Sequence, residues 1–209
     1  MSSLRASDSG PPKSARAALP GDWLICFAMK EEASAFSPPD DSVRILITGM
    51  GRANTQRALR QALATRPQAL VLTCGFAGGL DPALKRGTVL FSADHALELG
   101  PFLAAAGAKS AIFFCADRIA VTAAEKRALR QNTGADAVEM ESQHVASVCR
   151  EQGIPCVTLR VILDTADEDL PLDFNQLTTA DLQMDYKKLA GLIHAGCEMA
   201  ALRRSEVQS

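Results

Sequence analysis

Ala69-Leu70-Val71-Leu72-Thr73-Cys74 is apolar at every position but Thr73, and Gly75-Phe76-Ala77-Gly78-Gly79 follows at once. The run does not alternate apolar with polar residues. That pattern predicts a strand covered on both faces, as in a parallel sheet with helices outside it. The glycines predict a loop where backbone can approach a ligand closely. Cys156–Leu163 has the same character, broken by Thr158 and Arg160, and it ends on Asp164. Further strands are predicted at Trp23–Met29, Val43–Thr48, Thr88–Ala93, Ala111–Cys115 and Ala135–Val138.

Helical patterns fall between these runs, at Arg52–Thr65, Ala123–Asn132 and Ser142–Gln152, with a long one from Ala180 to Arg203. Thr122 and Glu125 have capping-box spacing, and Gly134 and Gly153 read as helix stops. Thr179 is a candidate cap for the last helix. The β/α alternation predicts one three-layer α/β/α domain with a mostly parallel, mixed central sheet. Residues 1–21 are rich in Ser, Ala, Gly, Pro and Arg without periodicity, so a flexible lead-in is expected, with the folded domain over 22–205.

The chain has 209 residues, 47% apolar and 22% charged, with a net charge of −2. That length supports a full hydrophobic core. The charge balance speaks against nucleic acid as a partner, and no apolar run is long enough for a membrane span. The cysteines Cys26, Cys74, Cys115, Cys149, Cys156 and Cys197 show neither a Cys-x-x-Cys pair nor zinc spacing, so they are expected to be reduced thiols in a cytoplasmic protein. His95, His144 and His194 lack ligand or nucleophile spacing and are read as surface or packing residues. No triphosphate-binding loop is present.

Ligands of open α/β sheets sit beyond the C-terminal strand ends. Carboxylates follow three of the predicted strands: Glu31 and Glu32 after the first, Glu139 and Glu141 after the Ala135–Val138 run, and Asp164 after Cys156–Leu163. Each alone fits a solvated turn or a helix N-terminal charge. Together they suggest a site. Asp164, leaving a buried strand, is expected to be held as the neutral acid by desolvation and to donate a proton. Arg160, on the same strand face, opposes that effect or orients a nearby carboxylate. Glu141, at a helix start, is expected to stay ionised and to accept hydrogen bonds from sugar hydroxyls. Gly49-Met50-Gly51-Arg52 reads either as an anion-binding turn or as a tight connection.

Ala28-Met29-Lys30-Glu31-Glu32, Cys74-Gly75-Phe76-Ala77-Gly78-Gly79-Leu80, Val138-Glu139-Met140-Glu141-Ser142 and Arg160-Val161-Ile162-Leu163-Asp164-Thr165-Ala166-Asp167 occur in that order. Together they resemble the purine nucleoside phosphorylase/uridine phosphorylase superfamily, nearest the 5′-methylthioadenosine/S-adenosylhomocysteine nucleosidases. The resemblance covers residues 23–203. It implies cleavage of an N-glycosidic bond, without metal or organic cofactor, by a homo-oligomer. By that resemblance Asp164 would assist the purine N7 and Glu32 would activate water. Glu141 would hold the ribose hydroxyls, with Met140 beside the sugar, and Glu139, Phe76, Ala77 and Gly78 would complete the substrate site. Arg160 would orient Glu141 or its neighbours, and the Ile119–Ala120 loop would hold the base, partly through backbone groups.

Several residues depart from the family pattern. Phe76 stands where the nucleosidases have Ser, Thr73 where the phosphorylases have Arg, Leu163 where Ser is usual, and Ile119 where a stacking Phe is usual. A phenyl ring at Phe76 implies water as nucleophile, or a phosphate site moved toward Arg52 or Arg44. The run Asp117-Arg118-Ile119-Ala120-Val121-Thr122-Ala123-Ala124-Glu125-Lys126 also resembles the hopanoid-associated phosphorylases, which implies phosphate as acceptor and a bulky 5′ substituent. Three readings follow: a nucleosidase for a 5′-substituted adenine nucleoside, a hopanoid-type phosphorylase, and a non-catalytic nucleoside-binding protein.

Overall fold

Apolar runs become strands here because their two faces meet different covers. The computed structural model describes residues 21–93, 99–179 and 188. Strands β1 (Trp23–Phe27), β2 (Val43–Ile47), β3 (Leu70–Gly79) and β8 (Cys156–Asp164) form the parallel heart of the sheet. β4 (Val89–Ala93) runs antiparallel to β8, and β5 (Lys109–Ser110) extends it. The order is β2-β1-β3-β8-β4-β5, with β6 (Phe113–Cys115) and β7 (Ala137–Glu139) branching from β3. The sheet is therefore mixed and mostly parallel, as predicted.

Helices α2 (Gly51–Thr65) and α5 (Ser142–Glu151) close one face. Leu59, Val145, Val148 and Cys149 pack there on Leu24, Cys26 and Val71. The alternate residues Leu70, Leu72, Val157 and Leu159 form a cluster with Leu103 of α3 (Gly100–Ala105) on the opposite face. α1 (Lys30–Ala33) is a single turn after β1, and α4 (Ala123–Thr133) precedes β7. Thr122 accepts from the Glu125 N–H while Glu125 accepts from the Thr122 N–H, and Gly134 ends α4 at φ 69°. The capping box and stop thus stand where the spacing put them. Among the described residues, no helix is long and apolar enough to cross a membrane.

One prediction needs correction. Gly75–Gly79 is not a loop: β3 continues through it, pairing with β8 and, at Gly78 and Gly79, with β7. Strand geometry survives so many glycines because neighbours on both sides supply the ladder. The bare backbone also fits a tight place, since a Cβ on Gly78 would lie 3.2 Å from Val138 and 3.3 Å from the Asp164 carboxylate. α3 and β5 were not predicted. α3 opens on Gly100-Pro101, and β5 is two exposed polar residues without a pattern. The N-terminal segment, the 180–203 helix, Cys197, His95 and His194 lie outside the described residues, apart from Lys188. The described cysteines are free thiols.

Candidate active site

The C-terminal ends of β1, β3, β7 and β8 surround a cavity of about 250 Å³. Glu32, Glu139, Glu141 and Asp164 are on its wall, with Met140, Phe76, Ala77, Gly78, Ile119 and Ala120. Segments far apart in the chain are thereby brought to one place. Apart from Arg118, the rest of the lining is apolar: Met29, Met50, Val138, Leu163, Leu170 and Phe174 complete most of it.

Glu32 is fixed from two strands. One carboxylate oxygen accepts from the Met29 N–H at 3.0 Å and the other from the Phe76 N–H at 3.1 Å. The approach is close enough that a Cβ on Gly75 would run into this carboxylate. Phe76 itself is 43% exposed and faces the cavity.

Glu139 is nearly fully buried and its oxygens are already engaged. They accept from the Glu141 N–H, the Ser142 N–H and the Ser142 hydroxyl, and one pairs with Arg160 at 2.8 Å. Burial pushes this carboxyl up, but the Arg160 guanidinium and the three donors outweigh it and hold it below the usual carboxylate range. Arg160 also donates to the Thr73 carbonyl and hydroxyl. It therefore lies behind the wall, holding Glu139. Of the expected partners, Glu141 or its neighbours, it engages the neighbour Glu139.

Glu141 corrects a second expectation. It does stand at the start of α5, but its carboxyl is pushed up to about 7. Burial is the main cause, and the Glu139 charge adds to it against Arg160 and the Gly51 N–H. A helix N-terminus offsets only part of such a desolvation cost. The Gly51 N–H donates to Glu141 at 3.1 Å, so the Gly49–Arg52 turn meets an anion of the chain itself.

Asp164 is buried, as expected, but not isolated. Its carboxylate is in contact with the ammonium of Lys126, a residue with no solvent exposure. Sequence reasoning missed Lys126, because a lysine within Ala-Ala-Glu-Lys-Arg reads as solvated helix surface. It also missed Arg118, Met50, Leu170 and Phe174.

The backbone of Ile119 is engaged by Asn175. Its N–H donates to Asn175 Oδ1 and its carbonyl accepts from Asn175 Nδ2, while the residue still lines the cavity. Arg44 is elsewhere, in a second cavity with Pro38, Asp40, Asp41 and Arg66. Neither Arg44 nor Arg52 lines the candidate site, so the structure gives no support to a phosphate site moved toward them. His144 lies on α5 outside the lining.

Residues 103–193 match the phosphorylase superfamily. Among curated proteins similar to this chain is the aminodeoxyfutalosine nucleosidase of Helicobacter pylori, 33% identical over 85 residues. That stretch covers 41% of this chain and 37% of the relative, little more than a third of its length. The 5′-methylthioadenosine/S-adenosylhomocysteine nucleosidase of Glaesserella parasuis is 28% identical over 170 residues, 64% of this chain and 73% of that one. Among solved structures, a mutant of the H. pylori nucleosidase with 5′-methylthioadenosine in its active site superposes with TM-score 0.62 at 20% identity. It covers 85% of this chain and 100% of that one. The Campylobacter jejuni nucleosidase gives 0.60 at 20% identity, covering 75% and 91%. At such identities the superpositions speak for the fold.

Proposed function

We propose that the protein hydrolyses the N-glycosidic bond of a 5′-substituted adenine nucleoside. The observation that carries this reading is the convergence of Glu32, Glu141 and Asp164, from β1, β7 and β8 ends, on one apolar cavity. Breaking C1′–N9 leaves cationic charge on the sugar and negative charge on the base. An anion at the sugar and a proton donor at the base stabilise both. Asp164 assists departure of the base, Glu141 accepts from the ribose hydroxyls, and Glu32 takes the proton of the attacking water. Met140 packs beside the sugar. Phe76, Ala77, Gly78, Ile119 and Ala120 enclose the substrate, with Glu139 and Arg160 holding the Glu141 segment. These residues need no metal or organic cofactor.

Water is the favoured nucleophile. Phe76 turns an apolar ring into the cavity, and the cation on its described lining, Arg118, is paired with Glu125. The names of the curated relatives support adenine nucleosides with altered 5′ groups as the substrate class. The same reading places the enzyme in the cytoplasm, as a homo-oligomer whose exposed Phe102 and Ile112 offer apolar surface. It assigns catalysis to residues 22–205, so deleting residues 1–21 should leave turnover intact.

The test is base release from adenosine, methylthioadenosine, adenosylhomocysteine and inosine, with and without phosphate. Free sugar in phosphate-free buffer is expected. Phosphate dependence with a sugar 1-phosphate product would establish the phosphorylase instead, and binding without release would establish a non-catalytic protein. Asp164→Asn should fold and bind yet lose most turnover.

A further inference from the structure

α4 has a single buried residue over its eleven positions, and that residue is Lys126. Burying an ammonium is costly unless it is paired and hydrogen-bonded. Here it meets the Asp164 carboxylate and donates to the Thr165 carbonyl at 2.9 Å and the Glu168 carbonyl at 2.7 Å. The neighbouring charges are spent elsewhere. Glu125 pairs with Arg118, Arg130 with Asp81 and Asp136, and the Glu168 carboxylate with Arg86. Of the cavity carboxylates, Glu139 is held by Arg160, Glu141 by the Gly51 N–H, and Glu32 by the Met29 and Phe76 N–H groups. Asp164 is thus the acid that Lys126 serves.

We propose that Lys126 and Asp164 share one proton, and that Lys126 is the source of the proton Asp164 delivers to the departing base. This rests on the hydrolytic reading above. In the step, an Nζ–H bond of Lys126 breaks and an O–H bond forms on Asp164, whose proton passes to N7 of the purine. The C1′–N9 electron pair goes to the base. The water oxygen bonds C1′ and its proton goes to Glu32 and on to solvent. As the base leaves, the Lys126–Asp164 pair takes one proton back from solvent. Lys126 never touches the base, so it is a positioning residue that acts through Asp164.

A shared proton changes the alkaline limit of activity. An unaided carboxyl loses its proton several pH steps below an ammonium. With Lys126 present, kcat should stay flat from pH 7.5 to 9. In Lys126→Met, kcat should fall about tenfold per pH step above 7, with a loss of roughly 10²-fold by pH 9, the low end of what general acid catalysis contributes. Lys126→Arg separates charge from proton supply, because arginine does not deprotonate. It should keep KM within about threefold and lose more than about tenfold in kcat. A purely structural lysine would lower thermal stability in both variants and leave the shape of the pH profile alone. That result overturns the proposal. So does a wild-type kcat that already falls steeply above pH 7, which needs no variant to fold. Protein labelled with ¹³C at lysine Cε gives a readout free of turnover. The Lys126 titration should move in Asp164→Asn, and an unmoved titration refutes the shared proton. Absence of base release from every nucleoside would instead sink the hydrolytic reading, with the labelled titration still deciding the pair.

Discussion

Glu141→Gln is expected to make the protein more stable and less active, and the gain should depend on pH. The wild-type carboxyl titrates near 7 in the folded chain against an ordinary value of 4.5, mainly because it is buried and secondly because Glu139 lies close. Below about 4.5 it is protonated in both states and costs nothing. As pH rises from 4.5 to 7 the unfolded chain ionises it and the folded chain resists, so stability falls. Above 7 the folded chain carries the full cost, about 3 kcal/mol for a difference of that size. Glutamine removes the charge and keeps an oxygen to accept from the Gly51 N–H. Urea unfolding should therefore show a gain of up to about 3 kcal/mol at pH 8 and close to none at pH 4.5. In the same preparation kcat/KM should fall by about two orders of magnitude, since a neutral amide is a weaker acceptor for ribose hydroxyls. The wild-type enzyme should lose activity as pH drops through about 7. An equal gain at both pH values, or a loss at pH 8, would refute the reasoning.

Glu139→Gln should do the opposite, because it leaves the fully buried Arg160 without its countercharge. A loss of about 3–5 kcal/mol is expected in urea unfolding, with the acid limb of activity moving to lower pH as Glu141 is relieved of a neighbouring charge. Gly75→Ala pushes a methyl into the Glu32 carboxylate, so kcat should fall more than about tenfold, the scale of a lost positioned base. The check is turnover in a variant that still melts cooperatively. Phe76→Ser should open space for an anion, read as inhibition or activation by phosphate, and phosphate affinity unchanged from wild type would show that the ring does not block it.

Much of this site was readable from strand ends. Asp164 closes an apolar run, and Glu32 and Glu141 follow others, so the rule that ligands gather at those ends located all three. What stayed hidden has definite causes. Lys126 looks like helix surface until the Asp164 carboxylate is placed opposite it. Glu139 and Glu141 are two residues apart and chemically alike, and burial among different partners separates them. One is held by Arg160 below the ordinary range, the other is pushed up to about 7. Gly75–Gly79 read as a loop because glycine weakens a strand, and its pairing with β8 and β7 is non-local information. Ile119 has its backbone taken by Asn175, a partner that no local pattern announces.

The pairing of β3 with β1, β8 and β7 has a consequence for how competence is acquired. The strand ends that carry Glu32, Glu141 and Asp164 all adjoin that one ribbon, so a chain in which it is not yet paired should lack a working pocket. During refolding, the emission of Trp23 on β1 should recover first. Turnover should reappear only when β8 docks, and the delay between the two signals times the completion of the sheet.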